Sequence, residues 1–189
     1  PFGVCEYHMS FPGTINIGLD GLQMVLGNVT KSMLQHGVKR FIVLNGHGGN
    51  TPAISKVALD VYHAGGILCS IDWWSLVGQL DSKYAAGGHG DRIETSAMLA
   101  VSENFVDLSL CRPKSPNPPS QNTTVKSISV IEFKGGSIHL QRDTCENAPN
   151  GWFGPYDPKD ATREEGEDML QLSARYVIDF IPEFRTMLK

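Results

Sequence analysis

The chain has 189 residues, 41% hydrophobic and 19% charged, which is typical of one compact domain with an ordinary core. A net charge of -4 without a long basic or acidic run gives no support to nucleic-acid binding. No apolar run approaches the roughly 20 residues of a membrane span. The four cysteines are scattered without a CxxC pair, as is typical of thiols in a reducing compartment, so a cytoplasmic location is expected.

The apolar periodicity predicts helices that alternate with short buried strands. The predicted helices cover residues 19–36, 52–64, 92–101 and 159–180. The predicted strands cover residues 41–44, 67–71, 125–133 and 137–140, and the last two are compatible with a hairpin. Residues 75–90 are expected to be loop-rich, and the proline-rich residues 112–122 to form a surface loop. This order predicts a single layered α/β domain, residues 1–189, with a largely parallel central sheet and helices on both faces.

A histidine framed by glycines follows the first predicted strand, in the sequence Asn45-Gly46-His47-Gly48-Gly49-Asn50. Ligands of such sheets bind outside the carboxyl ends of the strands, so His47 is expected at that edge. The glycines are expected to adopt unusual backbone angles and to let a substrate or metal come close. The imidazole can then coordinate a metal or relay a proton. The simpler alternative, a turn whose histidine caps neighbouring carbonyls, is more common for an isolated histidine.

A second histidine framed by glycines lies at residues 87–94, in the sequence GGHGDRIE. Asp91 can cap the following helix with Glu94 in its first turn, and this capping-box spacing would by itself explain both acids. It does not explain the glycines on both sides of His89. Two such histidines, together with two carboxylates at helix starts, indicate a metal-hydrolase site.

Four segments in this order resemble the creatininase (creatinine amidohydrolase) family. They are the Phe-Pro-Gly-Thr turn at residues 11–14, the Asn-Gly-His loop at 45–50, the histidine followed by Glu-Thr-Ser at 89–96, and GPYDPKDATREEGE at 154–167. The resemblance implies a creatininase-like fold and a metal-dependent hydrolase that cleaves a non-peptide or cyclic C–N bond of a small molecule. It also implies two divalent metal ions per complete subunit, which are zinc, manganese or iron. By the same resemblance the protein is expected to form a homo-oligomer, a hexamer.

The resemblance also assigns roles to residues. His47 and Glu94 become the metal ligands, and His89 becomes the group that passes a proton to the leaving nitrogen. Asp91, which lies close to His89 in the sequence, is a second catalytic candidate. A bound metal would lower the pKa of water to ~7 and so supply hydroxide. The candidate substrate-binding residues are Gly48, Gly49, Trp73 and Trp74. The two tryptophans could wall a pocket for a planar substrate, or equally fill the core or a subunit interface.

The N-terminal part departs from the family pattern. The family places its first metal ligands in a Glu-x-His-Gly segment upstream of the Phe-Pro-Gly-Thr turn, where this chain has ten residues. Glu6-Tyr7-His8 has the Glu-x-His spacing but directly precedes the turn, so we interpret it as a chance match. The chain is then expected to lack an N-terminal segment, and on its own to bind metal weakly and show no amidohydrolase activity. Gly49 stands where creatininase proper has an acidic residue, which disfavours creatinine as the substrate.

Two other functions stay open. A glycine-rich loop between a strand and a helix can hold phosphate through its backbone N–H groups, which would make the protein a phosphate- or nucleotide-binding module. The absence of GxxxxGK[ST] and GxGxxG patterns and the second histidine segment weigh against this. The chain could also be a family member that keeps the fold without hydrolysis.

Overall fold

A computed structural model of the chain describes residues 2–187. The α-helices are α1 (Gly18–Gln35), α2 (Thr51–His63), α3 (Trp73–Leu80), α4 (Arg92–Val101), α5 (Thr144–Asn147) and α6 (Arg163–Thr186). The strands are β1 (Arg40–Asn45), β2 (Ile67–Asp72), β3 (Thr124–Ser127), β4 (Val130–Phe133) and β5 (Gly136–His139). None of the described helices is long and apolar enough to cross a membrane.

The described chain divides into two compact units. The first contains residues 2–6, 13–76 and 173–187, and the second contains residues 7–12 and 77–172. That the two units make one domain, as the composition suggests, stays a prediction.

The first unit is built around β1 and β2, which pair in parallel with Arg40 opposite Ile67 and Asn45 opposite Asp72. Parallel neighbours need a crossover connection, and α2 supplies it. The buried side chains of α2 recur at helical spacing along one face: Ala53, Ile54, Val57 and Val61. Asn45 and Asp72 therefore lie side by side at the carboxyl ends of the strands, where ligands of open α/β sheets bind.

The second unit contains an antiparallel sheet in which β4 pairs with β3 on one side and with β5 on the other. Its buried apolar side chains include Val77, Tyr84, Ile93, Ala97 and Met169. Close packing between α4 and the start of α6 depends on Gly166, because a Cβ there would overlap the carbonyl of Ser96.

The α/β class is confirmed, and α4 has the predicted bounds. Three details differ from the expectation. The described parallel sheet has two strands, and the other three strands form a separate antiparallel sheet. Residues 125–133 contain two strands rather than one, because the chain turns at residues 128–129 without a glycine or asparagine to mark the turn. The region expected to be loop-rich begins with most of α3.

Candidate active site

Two asparagines hold the His47 loop at the end of β1. Asn45 is buried, and its Nδ2 donates to Asp72 Oδ1 at 2.8 Å and to Thr51 Oγ1 at 3.3 Å. Its Oδ1 accepts from the His47 N–H and from Asn50 Nδ2, both at 3.2 Å. One side-chain amide thus joins the ends of both strands to the loop. The His47 N–H is already used in this network, which weighs against the loop as a phosphate cradle.

The His47 ring contacts the N-terminal segment of the same unit. Its Nε2 lies 3.0 Å from the carbonyl oxygen of Val4, and the Val4 N–H donates to Asn50 Oδ1 at 2.9 Å. A carbonyl only accepts, so this hydrogen bond requires the proton on Nε2, and in the neutral ring Nδ1 is then the nitrogen without a proton. The carbonyl-capping alternative is therefore present in the structure. Metal-ligating histidines also donate their second ring N–H to a carbonyl in this way, so the contact is compatible with both interpretations.

The expected role of the glycines around His47 is wrong in one respect. Residues with positive φ include Gly90 and Gly151, but none of Gly46, Gly48 and Gly49. A Cβ at Gly46 would meet nothing within 4 Å, and a Cβ at Gly48 would lie 3.8 Å from Cζ2 of Trp74. This loop therefore does not need glycine for its backbone angles.

Trp73 and Trp74, which begin α3, are both half-buried.

Backbone pairing holds the His89 loop, in the second unit. The His89 N–H donates to the Phe153 carbonyl at 2.6 Å, and the Phe153 N–H donates to the His89 carbonyl at 2.7 Å. A Cβ at Gly88 would overlap the Phe153 carbonyl, and Gly90 has a φ of 59°. Here glycine is required at both positions, at Gly88 by the close approach and at Gly90 by the left-handed backbone.

Asp91 caps α4 and is completely buried. Its Oδ1 accepts from the Ile93 N–H at 3.0 Å, and its Oδ2 accepts from the Gly88 N–H at 2.7 Å. Burial raises the pKa of the Asp91 carboxyl, although the two backbone hydrogen bonds act in the opposite direction. A buried carboxylate with both oxygens engaged can influence a substrate only through the loop that it holds. The geometry thus favours the capping alternative over direct catalysis for Asp91.

Glu94 differs from Asp91 in being accessible. In a capping box it would accept from the N–H of the cap residue, but its Oε2 accepts from the Gly90 N–H at 2.7 Å. The same oxygen lies 3.7 Å from His89 Nδ1, and the side chains of His89 and Glu94 are 31% and 35% exposed. The loop therefore presents one imidazole and one carboxylate that solvent or a ligand can reach.

His8 also belongs to this group, and sequence reasoning did not place it there. Its ring stacks on the His89 ring with centroids 4.5 Å apart and an interplanar angle of 14°. His8 Nδ1 lies 2.8 Å from the hydroxyl of buried Thr144. The Glu6-Tyr7-His8 spacing was the one sequence signal at this position, and we interpreted it as a chance match to the family's metal-ligand pattern. No pattern in the sequence indicated Thr144.

The candidate metal ligands do not form a complete metal site in the part of the chain that the structure describes. No group of three or more His, Cys, Asp and Glu side chains in residues 2–187 could hold a metal ion. His47 belongs to the first unit, and His89, Asp91 and Glu94 belong to the second. That His47 and Glu94 are metal ligands, and Gly48, Gly49, Trp73 and Trp74 substrate contacts, stays a prediction.

Known proteins share both sequence and fold with this chain. A mycofactocin precursor peptide peptidase from Mycolicibacterium smegmatis is 32% identical over 109 residues, which are 56% of this chain and 39% of that protein. A creatinine amidohydrolase from Pseudomonas putida is 25% identical over 191 residues, 92% of this chain and 66% of that protein. The chain thus spans less than two thirds of the length of either relative.

Solved structures agree on the fold. A crystal structure of creatinine amidohydrolase (creatininase) matches with a TM-score of 0.63 at 23% identity, covering 92% of this chain and 67% of that one. A structure described as creatininase Mn matches with a TM-score of 0.60 at 24% identity, and a Zn-Zn form of a creatininase variant with 0.59, each with the same coverage. The model of the creatininase (creatinine amidohydrolase) family matches residues 1–181. The chain therefore belongs to the creatininase family.

Proposed function

We propose that this chain is a metal-dependent amidohydrolase, which hydrolyses a non-peptide or cyclic C–N bond of a small molecule. The observation that carries the proposal is the family match over residues 1–181, nearly the whole chain. The accessible His89 and Glu94 side chains support it, because a hydrolase needs an imidazole or carboxylate that can reach its substrate. The alternative functions, a phosphate-binding module or a family member without hydrolysis, predict no turnover.

The proposed proton carrier is His89. Its Nδ1 lies 3.7 Å from Glu94 Oε2, and the carboxylate favours the ring orientation that directs Nδ1 toward it. A ring so placed can give a proton to the leaving nitrogen of an amide. Asp91 takes part indirectly, because it holds the Gly88 N–H and the start of α4 and so fixes the loop that carries His89.

A divalent metal fits the available side chains in kind, since zinc, manganese and iron accept imidazole and carboxylate ligands. The number of ligands is too small, because the described residues contain no group of three suitable side chains that could hold a metal ion. We propose His47 and Glu94 as two of the ligands and assign no reaction step to the metal. The zinc and manganese named for solved relatives support a divalent metal. We propose that it is zinc, manganese or iron, with two ions per complete subunit.

The His47 geometry supports a specific ligand atom. Because Nε2 contacts the Val4 carbonyl, coordination would use Nδ1, with the carbonyl fixing the tautomer. We propose further that the chain forms a homo-oligomer, a hexamer by family resemblance, and works in the cytoplasm. Gly48, Gly49, Trp73 and Trp74 are the proposed substrate contacts, and Trp74 lies next to Gly48.

Metal content and turnover together test the proposal. The protein with its complete natural sequence would be purified and loaded separately with zinc, manganese and iron(II), and its bound metal measured by atomic emission. Each form would then be offered creatinine, a formamide, a cyclic amide and a short peptide. Metal binding with turnover of a non-peptide C–N bond is expected. Turnover of the peptide alone would overturn the proposed bond type, and no metal with no turnover would favour the non-hydrolytic alternatives.

A matched pair of variants assigns the metal to His47. His47→Ala should lose bound metal and turnover while its circular dichroism spectrum stays that of the wild type. The control is His63→Ala, which changes an exposed histidine at the end of α2 and should change neither. Full metal occupancy in His47→Ala would show that His47 only caps the Val4 carbonyl.

A further inference from the structure

His8 is placed to control the orientation of His89. It ends a short 3-10 turn, Glu6–His8, and its own ring is buried. The 2.8 Å contact between His8 Nδ1 and Thr144 Oγ1 is itself buried, since Thr144 has no solvent exposure. An oxygen at hydrogen-bond distance in a buried environment fixes the plane of the His8 ring.

The contact with Glu94 holds the His89 ring less firmly. The 3.7 Å between His89 Nδ1 and Glu94 Oε2 exceeds hydrogen-bond length, so attraction to Glu94 does not by itself select one ring plane. The parallel stack does, because an interplanar angle of 14° at 4.5 Å leaves no room for His89 to rotate about its Cβ–Cγ bond without meeting His8. The stack therefore fixes the plane of the His89 ring, and within that plane Glu94 favours the orientation that directs Nδ1 toward it.

We propose that His8 is a positioning residue for His89, with the hydroxyl of Thr144 holding the His8 ring against it. This inference rests on the proposed function, because it concerns the orientation of the group that moves the proton. It gives a role to the Glu6-Tyr7-His8 segment that requires no metal. His8 acts through the face of its ring, and Thr144 acts through Nδ1 of His8.

The proposal predicts a separation of kcat from KM. Removing the stack in His8→Ala should lower kcat about three- to tenfold, the range that the loss of one aromatic contact gives, with KM changed less than about twofold. His8→Phe keeps a flat ring but loses the Nδ1 contact with Thr144, so its kcat should lie between those of His8→Ala and the wild type. A His8→Phe variant as slow as His8→Ala would overturn the proposal, because the face of the ring would then contribute nothing.

A readout that needs no turnover separates this proposal from the proposed function. The His8 ring should shift the proton NMR signal of the His89 Cδ2–H by its ring current. The shift should disappear in His8→Ala, persist in His8→Phe, and change in Thr144→Val, which removes the hydroxyl but keeps the side-chain shape. His139→Ala, at an exposed histidine of β5, is the control and should leave the signal unchanged.

The two tests fail in different ways. If the wild type hydrolyses nothing, the proposed function fails while the NMR series still decides whether His8 orients His89. An unchanged His89 signal in a folded His8→Ala variant would overturn the positioning role. Should His8→Ala not fold, the comparison of Thr144→Val with the wild type decides instead, and an unchanged signal there overturns the role of Thr144 and with it the proposal.

Discussion

The two glycine-framed histidines look alike in the sequence, but different forces hold them. The His47 loop is held by side-chain amides, since Asn45 alone connects Asp72, Thr51, Asn50 and the loop backbone. The His89 loop is held by its own backbone, through the paired hydrogen bonds to Phe153. The same Gly-His-Gly pattern therefore indicates a loop with an accessible imidazole, but it does not reveal whether glycine is required there.

The largest expected difference between the loops concerns their glycines. Gly88→Ala should lower the free energy of unfolding by about 2–4 kcal/mol, because the new methyl group overlaps the Phe153 carbonyl and the backbone pair must separate. Gly46→Ala should change it by less than about 1 kcal/mol, because its Cβ would meet nothing and its φ is not positive. Urea unfolding followed by circular dichroism measures both. Equal losses would show that the two loops are built alike.

The next largest effect concerns the amide that holds the His47 loop. Asn45→Ala should cost about 2–3 kcal/mol, because it leaves the Asp72 carboxylate and the His47 N–H without this buried partner. The control is Asn28→Ala on the exposed surface of α1, where alanine is a better helix former and no loss is expected. A typical surface substitution changes the free energy of unfolding by roughly 0.5 kcal/mol or less. If urea unfolding of Asn45→Ala shows a loss no larger than that, the Asn45 amide does not hold the loop.

These two predictions show where the sequence was informative. The start of α4 was predictable because Asp91 caps it by a local interaction, and helix spacing revealed α1 and α2. α3 was missed although Trp73, Leu76, Val77 and Leu80 recur at helical spacing, because Gly78 interrupts them. That glycine is needed for contact with a later segment, since its Cβ would lie 2.8 Å from the Cα of Ala85.

The site was predictable only where its contacts are local. Glu94 and His89 are five residues apart, and their proximity follows from the helix start. His8 and Thr144 are 136 residues apart in the sequence, so no spacing rule could bring them together. The buried position of Asp91 also depends on distant packing, because a Cβ at Gly154 would overlap its carboxylate. The local sequence pattern therefore identified the imidazole and carboxylate side chains of the site. Tertiary packing decides which of them remain accessible to solvent.

A smaller effect tests whether Asp91 acts structurally. Asp91→Ala removes the cap of α4 and should cost about 1–2 kcal/mol of unfolding free energy. If Asp91 only holds the loop, Asp91→Asn, which keeps one acceptor for the Ile93 N–H, should recover at least about a tenth of wild-type kcat. Loss of turnover in a stably folded Asp91→Asn protein, measured with the best substrate of the panel, would restore Asp91 as a direct catalytic group.

The raised pKa of Asp91 adds a dependence on pH with a defined sign. A carboxyl whose pKa is higher in the folded than in the unfolded state stabilises the fold most below its unfolded value of about 3.9, and loses that contribution as pH rises through the folded value. Asp91→Asn does not titrate. Urea unfolding from pH 4 upward should therefore show the variant gaining stability relative to the wild type, and a relative loss would contradict the burial effect.

The smallest expected change in stability belongs to Glu94. Glu94→Gln keeps an oxygen for the Gly90 N–H and should cost less than about 1 kcal/mol, yet as a metal ligand it should lose metal and turnover. Glu164→Gln, at an exposed acid in the first turn of α6, is the matched control and should keep both. If titration of Glu94→Gln shows normal metal affinity, Glu94 is not a metal ligand and acts only as a hydrogen-bond partner of the His89 loop.

The pairing of His89 with Phe153 also has a kinetic consequence. An amide proton exchanges with solvent only when its hydrogen bond opens, and here two bonds share one bridge beside the tightly packed Gly88. Opening either bond requires both segments to separate, so the two amides should share one opening free energy, larger than that of the surrounding loops. The residue proposed to carry the proton thus has a backbone that opens rarely, and its stacked ring is held on a rigid base.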